Sequence, residues 1–472
     1  MFSNDDTICA PATVPGTGAI SIIRVSGPDA LTIADRLVQV RSSDKAPFSD
    51  AKGYTIRFGT ISGDDGTPLD EVLVSIFKAP HSYTGENSVE ISCHASSYIV
   101  SEILRKLNNL GCRNANPGEF TQRAFLNGKM DLAQAEAVAD VIASTSAYAH
   151  KVAFKQLKGG VSMELSSLRE QLLHLMTLLE LELDFSEEDV EFADRSQLMS
   201  LVDEAIAHIT KLSDSFRLGN AIRSGIPVAI AGPANAGKST LLNTLLGDER
   251  AIVSDVPGTT RDTIEETMNV NGLLFRFIDT AGIRESEDKI ERIGIERTMK
   301  KLAEADVVLA VLDASLPLEQ ILSDAETVLP QTFGSERQVI AILNKIDGIS
   351  RETVNNIIVT LKNKYVTLSD IKPISAKNGE GIEELKKYLF ESQKSKIQGT
   401  DQVLITNARH YSALQQALRY LKQLKSGLTT SLPGDLLSED LRATVAVLSE
   451  ITGQISSQDV LIRVFRGFCI GK

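Results

Sequence analysis

The chain has 472 residues, 42% hydrophobic and 24% charged, with a formal net charge of −13. These values suit a globular protein of about three domains, and the acidic balance excludes a whole-surface nucleic-acid binder while leaving room for a local basic patch. No apolar run approaches the ~20 residues of a membrane span, and Met1–Asp6 carries no basic and apolar leader, so a cytoplasmic location is expected.

Cys9, Cys93, Cys112 and Cys469 form no Cys-x-x-Cys pair, which argues against a zinc site or a disulfide framework. His94, beside Cys93, reads as a strand or loop side chain. No internal repeat or low-complexity linker is present.

Residues 1–118 read as an α+β domain. Strands are predicted over Gly18–Ser26, Tyr54–Thr60, Glu71–Phe77 and Ser88–Cys93, with helices over Pro28–Leu37 and Ser97–Leu110. Arg24, Glu90, Arg123 and Lys129 lie in or beside these strands; taken singly, each reads as part of a solvated strand face or a surface ion pair. From Phe120 the composition turns to helix formers, with Ala-rich helices over Asp131–Lys158 and Leu-rich periodicity over Val161–Arg217. The acidic run Glu187–Glu191 is expected to break the latter into two long helices.

Apolar Ile226–Ala231 then leads into Gly232-Pro233-Ala234-Asn235-Ala236-Gly237-Lys238-Ser239 and the helical run from Thr240 to Leu246. Strand, glycine-rich loop and helix in that order form a phosphate-binding loop, in which backbone N–H groups and the helix N-terminus face phosphate oxygens. Lys238 is suited to the β- and γ-phosphates and Ser239 to Mg²⁺.

Four later stretches, three of them following apolar strands, extend this site. Asp279-Thr280-Ala281-Gly282 offers a carboxylate that acts through water on Mg²⁺ and a glycine N–H that senses the γ-phosphate. Asn344-Lys345-Ile346-Asp347 offers a carboxylate that accepts from guanine N1–H and the 2-amino group, which adenine cannot supply. Ser375-Ala376-Lys377 is placed to back the guanine ring. Thr259-Thr260-Arg261-Asp262 has the position of a switch segment that brings a threonine to Mg²⁺ and the γ-phosphate. The nucleotide is therefore expected to be GTP, on a doubly wound sheet covering about residues 220–395. Helices resume over Thr406–Ser426, Gly434–Thr452 and Ser456–Phe468, so the GTPase domain reads as an insertion between a first helical part, 119–219, and a second, 396–472.

Many switch GTPases carry a water-orienting Gln after Asp-x-x-Gly. Ile283 stands here and cannot hold a water. The carboxylates of Glu285, Glu287, Asp288 and Glu291 follow closely, and spacing does not choose among them. Asn235 has two readings: its side chain stabilises the loop, or its carbonyl coordinates a monovalent cation that supplies the charge an arginine finger otherwise brings.

The phosphate loop with Asn235, Asp255-Val256-Pro257-Gly258-Thr259-Thr260-Arg261-Asp262, Asp279–Glu285, Glu291–Glu296 and the terminal Phe468-Cys-Ile-Gly-Lys472 together resemble the MnmE (TrmE) family of tRNA-modification GTPases. Ile22–Gly27, Ser82-Tyr-Thr-Gly-Glu86 and Pro117–Asn127 extend the resemblance over the whole chain. Pro233, Pro257 and Ile283 are mild departures.

The resemblance implies a homodimer whose N-terminal domains bind a formyl- or methylene-tetrahydrofolate donor through Arg24, Glu90, Lys129 and Lys472. It implies GTPase domains that pair across the nucleotide, with K⁺ held by Asn235, Ser254, Val256 and Thr259, Mg²⁺ held by Ser239 and Thr260, and Glu291 as a general base acting through water. It also implies a flavoprotein partner, MnmG, with which the protein adds an aminomethyl or carboxymethylaminomethyl group to C5 of the wobble uridine of certain tRNAs. Cys469 reads as structural or folate-lining, since no thiol activator is identifiable. Two other classes compete: a GTP-gated ribosome-assembly factor of the Era or Der type, and a folate-dependent methyltransferase with a regulatory GTPase insert.

Overall fold

The computed structural model describes residues 5–41, 46–184, 195–247, 266–278, 304–332, 337–397, 402–430, 432, 434–455, 458–468 and 471. Outside these residues lie Ser254, Asp255, Val256, Pro257, Gly258, Thr259, Thr260 and the Asp279–Gly282 motif. The acidic run Glu187–Glu191, the carboxylates Glu285, Glu287, Asp288 and Glu291, and Cys469 and Lys472 also lie outside them. Two compact units form, one from residues 1–139 and 445–472 and the other from 140–444.

The first unit contains β1 (Ile8–Pro11), β2 (Ile20–Ser26), α1 (Ala30–Leu37), β3 (Gln39–Val40), β4 (Thr55–Ser62), β5 (Pro68–Phe77), β6 (Ser88–His94), α2 (Ser97–Asn109), β7 (Arg113–Asn114) and α3 (Glu119–Leu126). The sheet order is β3-β4-β5-β6-β2-β1-β7, antiparallel except where β1 meets β7. Alternation along β5 explains its orientation: Val72, Val74 and Ile76 turn inward, while Glu71 and Leu73 turn outward. The inward side chains join Ile23, Val25, Val89 and Ile91 under Leu31 and Ile33 of α1 and Ile103 and Leu107 of α2.

Among the polar positions, Arg123 departs from expectation. It lies in α3 rather than on or beside a strand, and it is 2% exposed. Its guanidinium meets Asp6 Oδ1 at 2.5 Å, Glu119 Oε1 at 3.2 Å and Glu86 Oε1 at 3.3 Å. A buried charge needs such partners. His94 pairs through Nδ1 with Asp70 Oδ1 at 2.7 Å.

α4 (Leu132–Ala143) and α13 (Gly434–Thr452) run across the division between the units, and α14 (Gln458–Arg466) belongs to the first. The predicted Ala-rich stretch divides into α4 and α5 (Ala147–Leu157), because Ser146 turns out of helix and its Oγ accepts from the Ala149 N–H at 3.2 Å. α6 (Gly160–Asp184) and α7 (Arg195–Ser224) follow, and α12 (Ala408–Thr429) lies along α7 with Phe216 and Tyr411 stacked at 4.5 Å.

The second unit's sheet has the order β13-β12-β11-β8-β10-β9. Its strands are β8 (Ile226–Ala231), β9 (Glu266–Val270), β10 (Leu273–Phe277), β11 (Val307–Asp313), β12 (Gln338–Asn344) and β13 (Asp370–Pro373). All neighbours are parallel except the β9–β10 hairpin. The helices α8 (Lys238–Leu246), α9 (Leu318–Thr332), α10 (Arg351–Lys364) and α11 (Ile382–Ile397) complete the doubly wound domain. Ala221 and Ile222 of α7 and Leu404 share its core. Among the described residues, no helix is long and apolar enough to cross a membrane.

Candidate nucleotide site

β8, β11 and β12 run parallel and end on the same side of the sheet, so their C-terminal loops converge there. The loop after β8 turns sharply into α8. Asn235 and Gly237 have φ of 61° and 94°, both in the left-handed region, and Gly237 caps α8. A Cβ at Gly237 would collide with Asn344 Nδ2, so only glycine lets the phosphate loop approach β12 this closely.

Lys238 Nζ donates to the Gly232 and Pro233 carbonyls at 2.8 and 2.7 Å, across the mouth of the loop. Burial pushes its ammonium below its ordinary pKa, a cost that a phosphate partner would offset. A helix N-terminus, a left-handed loop and a half-buried lysine make a donor set that fits a polyphosphate.

Asn344, at the end of β12, is 2% exposed and acts as a bridge. Its Nδ2 donates to the Ala236 carbonyl at 2.8 Å and its Oδ1 accepts from the Ala376 N–H at 3.0 Å. Ala376 in turn offers its carbonyl to Thr244 Oγ1 at 2.7 Å. The phosphate loop, the Asn344–Asp347 segment and the Ser375–Lys377 loop are thereby fixed to one another. Exposed Asp347 receives the Ser375 Oγ hydrogen bond at 2.8 Å, which aims its carboxylate.

Sequence reasoning did not single out Asp313, which closes β11. Its Oδ2 pairs with Lys345 Nζ at 2.6 Å, and its Oδ1 accepts from the Ser315 N–H and Oγ. Burial raises its pKa, but Lys345 and Ser315 outweigh that and hold the carboxyl below the ordinary aspartate range. The available signal was an apolar run, Val307–Leu312, ending in a carboxylate at the sheet's binding edge.

The proposed folate residues lie in the first unit. Arg24 and Glu90 are cross-strand partners on β2 and β6, and Arg24 Nη2 lies 2.8 Å from Glu90 Oε1. The guanidinium also stands 5.1 Å from the Tyr83 ring centroid, and its Nη1 reaches the Gly471 carbonyl at 3.5 Å. Lys129 Nζ donates to the Pro80 carbonyl at 3.0 Å. Arg24 and Lys129 thus meet the same loop, through Tyr83 and Pro80.

Two family models match the chain: the GTP-binding protein TrmE N-terminus over residues 7–129 and the MnmE helical domain over 132–469. The tRNA modification GTPase MnmE of Bacteroides thetaiotaomicron is 50% identical over 469 residues, covering 99% of this chain and 100% of its own. That of Parabacteroides distasonis is 48% identical over 467 residues, with the same coverage, 99% and 100%. Among solved structures, Era in complex with MgGDPNP and nucleotides 1506–1542 of 16S ribosomal RNA is 31% identical and covers 41% of this chain and 66% of its own. Its TM-score is 0.29, too low a global likeness to bear on the fold. With both models and full-length relatives in agreement, the chain belongs to the MnmE (TrmE) family of tRNA modification GTPases.

Proposed function

We propose that this protein hydrolyses GTP to drive, with the flavoprotein MnmG, addition of an aminomethyl or carboxymethylaminomethyl group to C5 of the wobble uridine of certain tRNAs. The observation that carries the nucleotide part is the Asn344 bridge, which joins the phosphate loop to the guanine-reading segments. In this reading Lys238 holds the β- and γ-phosphates, Ser239 and Thr260 hold Mg²⁺, and Asp279 acts on the ion through water. Thr240, Thr280, Ala281 and Gly282 line the phosphates, and Asp347 with Ser375, Ala376 and Lys377 holds guanine.

Asn235, Ser254, Val256 and Thr259 would hold K⁺, which would supply positive charge to the phosphates, and Asp255, Pro257 and Gly258 would shape that loop. Glu291 polarises the attacking water through a second water. The exposure of Asn235 on this loop supports a side chain accessible to a cation.

The one-carbon donor is a tetrahydrofolate derivative bound by Arg24, Glu90, Lys129 and Lys472. The residues present fit it chemically. A carboxylate accepts from the amino-pyrimidine edge, cations pair the glutamate tail, and Tyr83 offers an aromatic face. Pairing of two chains through the N-terminal sheet is supported by its outer face, where Ile20, Ile56, Phe58 and Leu73 are 65%, 65%, 42% and 48% exposed. The protein acts in the cytoplasm, and the division at residues 118, 219 and 395 separates folate, helical and GTPase parts.

Reconstitution tests this reading. Purified protein, MnmG, GTP, K⁺, methylene-tetrahydrofolate, ammonium or glycine and unmodified tRNA are expected to yield the modified wobble nucleoside by mass spectrometry, with no product when GTP or MnmG is omitted. Hydrolysis of GTP without any new nucleoside would contradict it.

A further inference from the structure

Helix α5 carries a basic and aromatic face on an acidic chain. Residues 141–163 contain no Asp or Glu, although the chain has 62. His150, Lys151, Phe154, Lys155 and Lys158 recur at three- and four-residue spacing, which places them on one side of the helix, and all five are exposed. The opposite side, with Ala149, Ala153 and Gln156, is buried.

The aromatic pair within the stripe is ordered. The rings of His150 and Phe154 stack with centroids 5.8 Å apart and 13° between planes, and Lys158 Nζ lies 5.1 Å from the Phe154 centroid. Phe154 nevertheless remains 43% exposed.

Both ends of the helix are anchored within the same unit. The Tyr148 N–H donates to the Gly272 carbonyl at 3.2 Å, and Asn269 Nδ2 donates to the Thr145 carbonyl at 3.1 Å, tying the N-terminal end to the β9–β10 hairpin. At the other end Gln156 Nε2 donates to the Leu404 carbonyl at 2.8 Å and to Thr406 Oγ1 at 3.0 Å. The stripe is therefore presented by a fixed scaffold.

We propose that this face is a docking surface for tRNA. The three lysines contact phosphates, and the His150–Phe154 pair offers a stacking platform to an unpaired base. The inference rests on the tRNA reading above and names where an acidic protein meets a polyanion. Charge complementarity selects an anionic partner. The stacked rings amid the lysines favour RNA over a lipid surface or an acidic protein, because only RNA offers planar bases between its phosphates. Docking there would bear on the β9–β10 hairpin to which the helix is tied.

The test measures binding of end-labelled tRNA to the full-length protein by fluorescence anisotropy across a salt series. It compares wild type, Lys151→Gln/Lys158→Gln and Phe154→Leu, with basal GTP turnover and thermal melting as checks on folding. The double variant is expected to weaken binding at least tenfold at low salt and to flatten the log–log salt slope by about 1.5, from roughly 0.7–0.9 per phosphate contact. Phe154→Leu is expected to lose about tenfold with the slope unchanged, and neither variant should alter basal GTP turnover. Equal affinities and slopes for all three proteins would overturn this surface while leaving the tRNA reading intact. Failure of the wild type to bind tRNA at any salt would overturn both. Lysine-dependent binding to phosphatidylserine vesicles without binding to tRNA would assign the face to a lipid surface and overturn the inference.

Discussion

Asn344, at the end of β12, donates to the Ala236 carbonyl at 2.8 Å and so couples the phosphate loop to the loops proposed to read guanine through one buried amide. Because the same side chain also satisfies the Ala376 N–H, Asn344→Ala orphans two buried backbone groups at once. Each costs about 1–3 kcal/mol. Thermal melting is expected to show a lower Tm, and calorimetric titration a GDP affinity reduced at least tenfold. Unchanged binding would show that the bridge is dispensable.

Gly237→Ala is expected to be more damaging than its size suggests. At φ of 94° any side chain is strained, and the new methyl would run into Asn344 Nδ2. The expected outcome is loss of measurable GTP binding together with a lower Tm, read by nucleotide titration and melting. Wild-type affinity in the variant would contradict the tight approach of loop and strand.

Asp347→Asn tests base reading. A carboxylate accepts from guanine N1–H and the 2-amino group, whereas an amide matches the donor and acceptor that xanthine presents. The variant is expected to lose GTP affinity by about 100-fold and gain XTP affinity, measured by competition. An unaltered GTP-to-XTP preference would remove Asp347 from the base site.

Much of this site was legible because its parts are local. A glycine-rich loop after an apolar strand announces itself in a few residues, and the doubly wound alternation of strand and helix brings it beside the Asn344 and Ser375 segments. Asn344's bridge was not legible, since its partners Ala236 and Ala376 are small residues whose relevant groups are backbone.

Arg123 shows the other limit. An arginine three residues after Phe120 reads as a surface charge until Asp6 and Glu86 arrive from distant stretches of chain to join Glu119, one turn away in α3. The four-residue β1 was missed for a similar reason, because Ile8–Pro11 is too short for periodicity to register. The break at Ser144–Ser146 was hidden by helix-forming alanines on both sides and is explained by the Ser146 cap.

The Arg123 network sets an acid limit on the N-terminal unit. Burial pushes the Glu119 carboxyl up, but Arg113, the Asn116 N–H and Arg123 outweigh it and hold the group below its ordinary value. A carboxyl depressed in the folded state contributes stability above its unfolded pKa, and this is lost as pH falls through the folded value. Arg123→Met, which removes one of the two guanidiniums that pair with Asp6 and Glu119 and the one that meets Glu86, is expected to cost about 1.5–3 kcal/mol near neutral pH. The deficit should shrink toward pH 4 as those groups take up protons. Denaturant melts at pH 7 and pH 4 check it, and a deficit independent of pH would contradict the charge account.

GTP turnover in KCl and in NaCl at equal ionic strength, for the wild type and for Asn235→Ala and Glu291→Ala, most directly tests cation-assisted hydrolysis at this phosphate loop. The account predicts a turnover at least tenfold faster in K⁺, with that advantage abolished by Asn235→Ala and turnover in either salt lost in Glu291→Ala. Equal rates in the two salts would contradict it and favour a slow GTP-gated switch instead.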